Sequence, residues 1–138
     1  MWRILLMTLL IAGCAPLPPS PEDVQAKRFE AVPGKAVIYV VRTPMDSQEA
    51  GGLALDDHAQ ITMLGGTYYR WEVAPGIHRV HGVGPSNVAV TLTTEAGKVY
   101  FLQHTVIGTV RSGPQNYSLR QIGEQDGRTL VAKAELIR

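Results

Sequence analysis

The sequence predicts a mainly β protein. It reads as one Ig-like or transthyretin-like β-sandwich of about seven strands, behind an N-terminal leader and a Pro-rich tether, with a short helix near the C terminus. Three observations carry this. The chain has 138 residues, the length of one domain. From Lys35 onward its apolar residues recur mostly with a period of two. Its 14 glycines and 9 prolines mark turns, spaced about eight to twelve residues apart, as in sandwiches and barrels. The expected division is residues 1–13 as leader, 14–34 as linker and 35–138 as the folded domain.

The leader begins with Met1-Trp2-Arg3 and continues as an apolar run from Ile4 to Ile11, broken only by Thr8. A helix of that length rises about 12 Å, far less than the roughly 30 Å hydrocarbon core. The segment is therefore a signal-peptide core and not a span. Ile11-Ala12-Gly13-Cys14 follows and resembles the bacterial lipobox, an aliphatic residue and two small residues before a cysteine. The resemblance implies cleavage before Cys14, thioether attachment of diacylglycerol to its sulfur, and acylation (palmitate-type) of the new terminus. Two or more acyl chains anchor stably where one does not. Ala15 after the cysteine, in place of Asp, points to the outer membrane by the usual sorting pattern, with the domain in the periplasm.

Ala15 to Gly34 holds Pro16, Pro18, Pro19, Pro21 and Pro33. Proline fixes φ and donates no hydrogen bond, so the segment reads as an extended tether of about 60 Å reach. A short helical turn over Glu22 to Phe29 is compatible with it. Ala36 to Arg42 is apolar at both parities, the pattern of a central strand buried on two faces. Thr43-Pro44 ends it. Leu53–Asp56 and Gln60–Leu64 flank Asp57-His58-Ala59 as a hairpin, and Gly65-Gly66 breaks the chain. Thr67 to Val73 alternates, with Tyr69, Trp71 and Val73 on one face and Tyr68, Arg70 and Glu72 on the other. Pro75-Gly76 turns into Ile77–His81. Val88, Val90 and Leu92 alternate with Ala89, Thr91 and Thr93. Glu95 to Lys98 turns into Val99–Ile107, and Tyr117–Ile122 is a further strand. Glu124 to Lys133 is read as a helix, with Gly127 counting against it.

Ile38-Tyr39-Val40-Val41-Arg42, Gly66-Thr67-Tyr68-Tyr69, Val73-Ala74-Pro75-Gly76-Ile77-His78 and Gly97-Lys98-Val99-Tyr100-Phe101 occur in that order. Together they resemble the bacterial lipoprotein family called domain of unknown function two-eight-four-six. The Pro-Gly-Ile-His segment is also similar to the turn and strand of PEGA-type β-sandwich modules. The resemblance implies an envelope-facing sandwich and no reaction.

Composition excludes several function classes. Lys plus Arg is 13 against 12 Asp plus Glu, which excludes bulk-charge binding to nucleic acid or an anionic membrane, though not a local patch. One cysteine excludes an intrachain disulfide and any multi-cysteine metal site, and lipidation would consume that thiol. There is no Gly-x-Ser-x-Gly elbow, His-Glu-x-x-His, phosphate loop or calcium loop. His78 and His81 face opposite ways on a strand and cannot chelate one ion; His78 is expected to point inward, bonded to backbone beside the Pro75-Gly76 turn, and His104 to be structural. No catalytic residue, metal or cofactor is assigned.

The best binding candidates are Tyr68, Arg70 and Trp71, because Tyr, Trp and Arg combine large buried area with a polar handle. Arg42, Arg70, Arg79 and Arg111 could form a basic face. The leading expectation is a lipid-anchored, non-catalytic binding or adaptor module for an envelope protein, peptidoglycan or itself. The alternatives are a small periplasmic hydrolase or metal-dependent enzyme using His58, His104 or Asp56, and a purely structural lipoprotein. An exposed edge strand could mediate strand addition, but the sequence names no edge.

Overall fold

A computed structural model describes residues 16–109 and 111–138. The leader and Cys14 lie outside the described residues. Nine strands form two sheets: β1 (Ala36–Val41), β2 (Gly51–Leu55), β3 (Ala59–Met63), β4 (Thr67–Val73), β5 (Gly76–Val83), β6 (Ala89–Thr94), β7 (Val99–Ile107), β8 (Asn116–Ile122) and β9 (Glu135–Leu136). One sheet runs β8-β7-β1-β4-β9 and the other β3-β2-β5-β6. The sandwich expectation holds, with nine strands in place of about seven. Every strand expected from the periodicity forms. The two-residue β9 carries too little pattern to be read.

The five-stranded sheet is mixed. β1 pairs antiparallel with β4 and parallel with β7, and β9 lies parallel to β4. The four-stranded sheet is antiparallel throughout. Between them lies a core in which Ile38, Val40, Trp71 and Leu102 meet Leu53, Met63, Val80 and Leu92. The β2–β3 hairpin turns where expected, on left-handed Asp56 (φ 50) and Asp57 (φ 63), residues that tolerate this conformation through their short polar side chains.

The outer face of the five-stranded sheet carries a third layer. Two helices, α1 (Pro21–Ala26) and α2 (Glu124–Ala132), cover it. This explains β1, whose six residues are all buried. Val37, Tyr39, Val41, Tyr68 and Phe101 point outward into a second core with Ala26, Val131 and Ala134. Phe29 closes this layer, its ring 5.4 Å from Tyr39 and 5.8 Å from Phe101.

Residues 20–32 therefore lie on the domain, although their prolines read as tether. The reason is local. Ser20 caps α1 by accepting from the Asp23 N–H at 3.1 Å, and Pro21 takes the first turn, where it loses no hydrogen bond. Asp23 is then buried and accepts from the Tyr68 hydroxyl at 2.7 Å, the Lys27 ammonium at 2.8 Å and the Leu136 N–H at 3.2 Å.

Gly127 sits inside α2 for a packing reason. A Cβ there would lie 2.5 Å from the Phe101 Cβ and Cδ1. Gly127→Ala gains about 1 kcal/mol in helix propensity. It loses about 1–3 kcal/mol or more to overpacking against a buried ring. The urea midpoint should fall, and a rise would refute this account of the glycine.

The other fixed point is Arg42, fully buried at the end of β1. It donates to Asp46 Oδ2 (3.3 Å) and to the carbonyls of Glu49 (2.9 Å), Met63 (2.7 Å) and Ser47 (2.6 Å). Arg42→Leu would leave a buried carboxylate and three carbonyls without this donor. A loss of about 3–5 kcal/mol is expected in urea unfolding, against less than about 0.5 kcal/mol for the exposed Arg79→Leu.

Candidate functional site

The three candidate binding residues separate in the structure. Trp71 points between the sheets, edge-on to Tyr69 at 5.2 Å, and belongs to the core. Tyr68 points the other way but is fully buried beneath α1, bonded to Asp23. Neither is a surface binder. The alternation of β4 puts Tyr68 on the face opposite Trp71, which a two-layer sandwich leaves to solvent; here the helical layer covers that face. Arg70 alone remains accessible, with 22% of its side chain exposed. The basic face does not form: Arg42 is inside, Arg70 lies on the outer face of one sheet, and Arg79 projects from β5 in the other.

Arg70 stands in a groove of about 730 Å³ beside β4, within the size range of ligand sites. One wall is the segment from Pro21 to Val32, and the other is the C-terminal stretch Leu136 to Arg138. Tyr39 and β4 make the floor. β4 supplies a special feature: its pairing with β9 ends at Tyr68, so Tyr69 to Val73 continue as a sheet edge with no further strand beyond them among the described residues.

The polar groups of the groove are held in place. Arg70 Nε donates to the Tyr39 hydroxyl at 3.2 Å, and that hydroxyl donates to the Ala26 carbonyl at 2.6 Å. Arg70 Nη1 donates to Glu72 at 2.6 Å, and Lys35 approaches the same carboxylate at 4.0 Å. The guanidinium holds the Glu72 carboxyl below its ordinary value. Burial pushes the Tyr39 phenol up, against the pull of Arg70. At the rim, Arg138 lies 3.9 Å from Glu22. The groove thus presents an apolar floor, a fixed cation–anion pair and an open strand edge.

The residues of the alternative enzyme reading do not converge. His104 is fully buried by Gly51, whose own Cβ would meet its Cε1 at 2.7 Å. Asp56 and His58 lie at the other end of β2, roughly 16 Å away at strand rise. Asp56 does pair with a histidine, His78, through Nδ1 at 2.6 Å. The other ring nitrogen, Nε2, donates to the Ala74 carbonyl at 2.6 Å. Both acceptors are oxygens, so both ring nitrogens of His78 are engaged and its charged form is favoured. Burial alone would lower its pKa, but these bonds raise it. Its inward direction and its bond to backbone match the sequence reading. His58 Nδ1 is turned onto the Asp56 carbonyl, and His81 Nε2 lies 2.6 Å from Asp57. Among the described residues no three His, Cys, Asp or Glu side chains gather as a metal site. Glu72 pairs with Arg70, and Glu95 with Lys98.

No protein-family model matches the chain, and no curated protein or solved structure matches it.

His104 generates a pH prediction. Burial, and then repulsion from Arg42, push its pKa down to about 4 despite the attraction of Asp46. The unfolded value is near 6.5. The folded state therefore binds fewer protons, so stability is full above about pH 6.5 and falls as pH drops toward 4, by about 3 kcal/mol. Urea unfolding between pH 7 and 4 should show this loss, and His104→Phe should flatten the part of the slope that it supplies. An unchanged slope would mean that the histidine is not buried neutral.

Proposed function

We propose that this protein is a lipid-anchored, non-catalytic binding module of the bacterial cell envelope. Its domain faces the periplasm, most simply from the outer membrane, and its groove takes an extended segment of an envelope protein. The observation that carries the binding site is the open edge of β4 inside the groove. Unpaired main-chain groups along a strand edge are a template for an added strand. Here Arg70 and Glu72 stand on one face along that edge and offer charge selection to side chains of either sign, while the half-buried Val32 and Leu136 on the walls offer apolar contact. The anchor rests on the lipobox-like Ile11-Ala12-Gly13-Cys14 and the Pro-rich stretch behind it. The resemblance of the ordered motifs to domain of unknown function two-eight-four-six supports an envelope location.

The engaged ring nitrogens of His78 and the separation of His104 from Asp56 weigh against the hydrolase reading. Among the described residues no helix is long and apolar enough to cross a membrane.

A photo-crosslinking residue at Glu30, on the groove wall, should capture a defined partner in intact cells. The same residue at the exposed Thr91 of β6 should not. Arg70→Glu should abolish the Glu30 adduct while the far-ultraviolet circular dichroism stays native, although losing the Tyr39 bond lowers the melting temperature, and Cys14→Ser should reduce the adduct by mislocalising the protein. Equal capture from both positions, or capture indifferent to Arg70, would refute the groove as the site.

A further inference from the structure

One end of the sandwich collects exposed apolar side chains. β1 and β7 are parallel, so the end of β7 lies beyond the end of β1, beside the loop of residues 43–50. Ile107 closes β7, with Ser47 donating to the adjoining Gly108 carbonyl at 2.8 Å. Leu64 precedes the turn into β4, where Gly66 donates to the Arg42 and Thr43 carbonyls. Met45 lies in the loop itself. Their exposures are 95% for Met45, 62% for Ile107 and 48% for Leu64.

Single exposed apolar residues are ordinary. These are displayed by a pinned backbone. Directly after Met45, Asp46 is fixed by Arg42 and by the Val106 N–H at 3.0 Å, and Ser47 N–H donates to the Val106 carbonyl at 3.1 Å. The loop buries the Asp46 carboxylate and turns Met45 out.

The chain enters the domain at the flank of this end. Pro16 to Ser20 share one cavity with Ala134, Glu135 and Leu136, and the Glu135 N–H donates to the Gly66 carbonyl at 2.9 Å. Leu17 is 92% exposed there. Because α1 is docked, the free chain runs only from Cys14 to Ser20, a span of at most roughly 20 Å. A domain held that close to an acylated cysteine meets the bilayer surface.

We infer that the end of the sandwich carrying Met45, Leu64 and Ile107, together with Leu17, rests on the lipid surface and orients the domain over its anchor. This rests on the lipidation of Cys14 proposed above. The occupant is lipid and not a second protein, because the anchor brings lipid to this end and because the apolar side chains project from two loops and the end of β7 instead of lining one groove.

Cys14 is the only cysteine, so once it carries lipid an introduced cysteine takes a single label. Full-length protein with Met45→Cys, Leu64→Cys, Ile107→Cys or, at the opposite end, Ile77→Cys (74% exposed in the parent residue) would be labelled with an environment-sensitive nitrobenzoxadiazole. It would be reconstituted in phosphatidylethanolamine–phosphatidylglycerol vesicles containing nitroxide-bearing lipid. Intact mass reports the diacylglyceryl and acyl groups on Cys14. Emission at 45, 64 and 107 should shift to the blue and be quenched by about half or more, as for groups at the headgroup–acyl boundary; emission at 77 should not change. Lipid on Cys14 with all four positions alike would overturn the membrane-facing end and leave the anchor standing. A blue shift without nitroxide quenching would mean that protein covers this surface, and would overturn it too. Absence of lipid from Cys14 would overturn both.

Discussion

The buried guanidinium of Arg42 is the constraint on which one end of the molecule depends. A charge held at zero exposure costs several kcal/mol in desolvation unless its donors are met. Arg42 meets its requirement by gathering chain that has no regular structure of its own. It takes carbonyls from Ser47 and Glu49 in the loop, from Met63 at the end of β3, and the Asp46 carboxylate. Asp46 passes the constraint to β7 through the Val106 N–H. The two sheets are thus tied at this end by charge-assisted bonds, where apolar packing alone would leave the loop free. The neighbours are fitted around them. Gly51 has no side chain because a Cβ would lie 3.3 Å from Arg42 Nη1 and 2.7 Å from His104 Cε1. His104 is kept neutral by the same burial and the same cation.

The opposite face of the β1-containing sheet is governed by a second buried ionic group, Asp23. Burial alone would raise its pKa, but Lys27 and the Tyr68 hydroxyl donate to it and hold it low. Lys27 also donates to the Ala134 carbonyl at 2.7 Å, joining α1 to the end of α2. The result is a clamp of α1, β4, β9 and the C terminus of α2. With it in place the N-terminal segment becomes a wall. Without it, residues 20–32 would be the extended spacer that their proline content describes.

Much of this architecture could be read from residue order. Thr67–Val73 and Val99–Ile107 form with the expected limits, because alternation and flanking turn residues define them locally. The all-apolar β1 correctly implied cover on both faces. That same signal held the answer to Tyr68: if the outer face of β1 is covered, so is the face of β4 beside it. What stayed hidden depends on contacts distant in sequence. β9 is recognised only by pairing with β4. The Asp23–Tyr68 bond joins residues 45 apart in the chain. Gly127 speaks against a helix by propensity, and only the ring of Phe101 beneath it explains its presence. For the candidate site, Arg70 was legible with Glu72 on its face, but Tyr39 and the wall residues were not, since four separate segments build the groove.

This assembly has a mechanical consequence. The segment that leads toward Cys14 is the segment that forms one wall of the groove, and its attachment runs through Asp23, Lys27 and Tyr39 to β4 and α2. Tyr39 holds the Ala26 carbonyl with the same hydroxyl that positions Arg70. The orientation of Arg70 and the seating of α1 therefore share one oxygen atom, and a change in either is felt by the other. Polar bonds of this kind have narrow geometry, whereas apolar contacts tolerate sliding. A wall fixed by them keeps the groove width and the course of the N-terminal chain coupled. The N-terminal chain is thereby held to the fold from Ser20 onward.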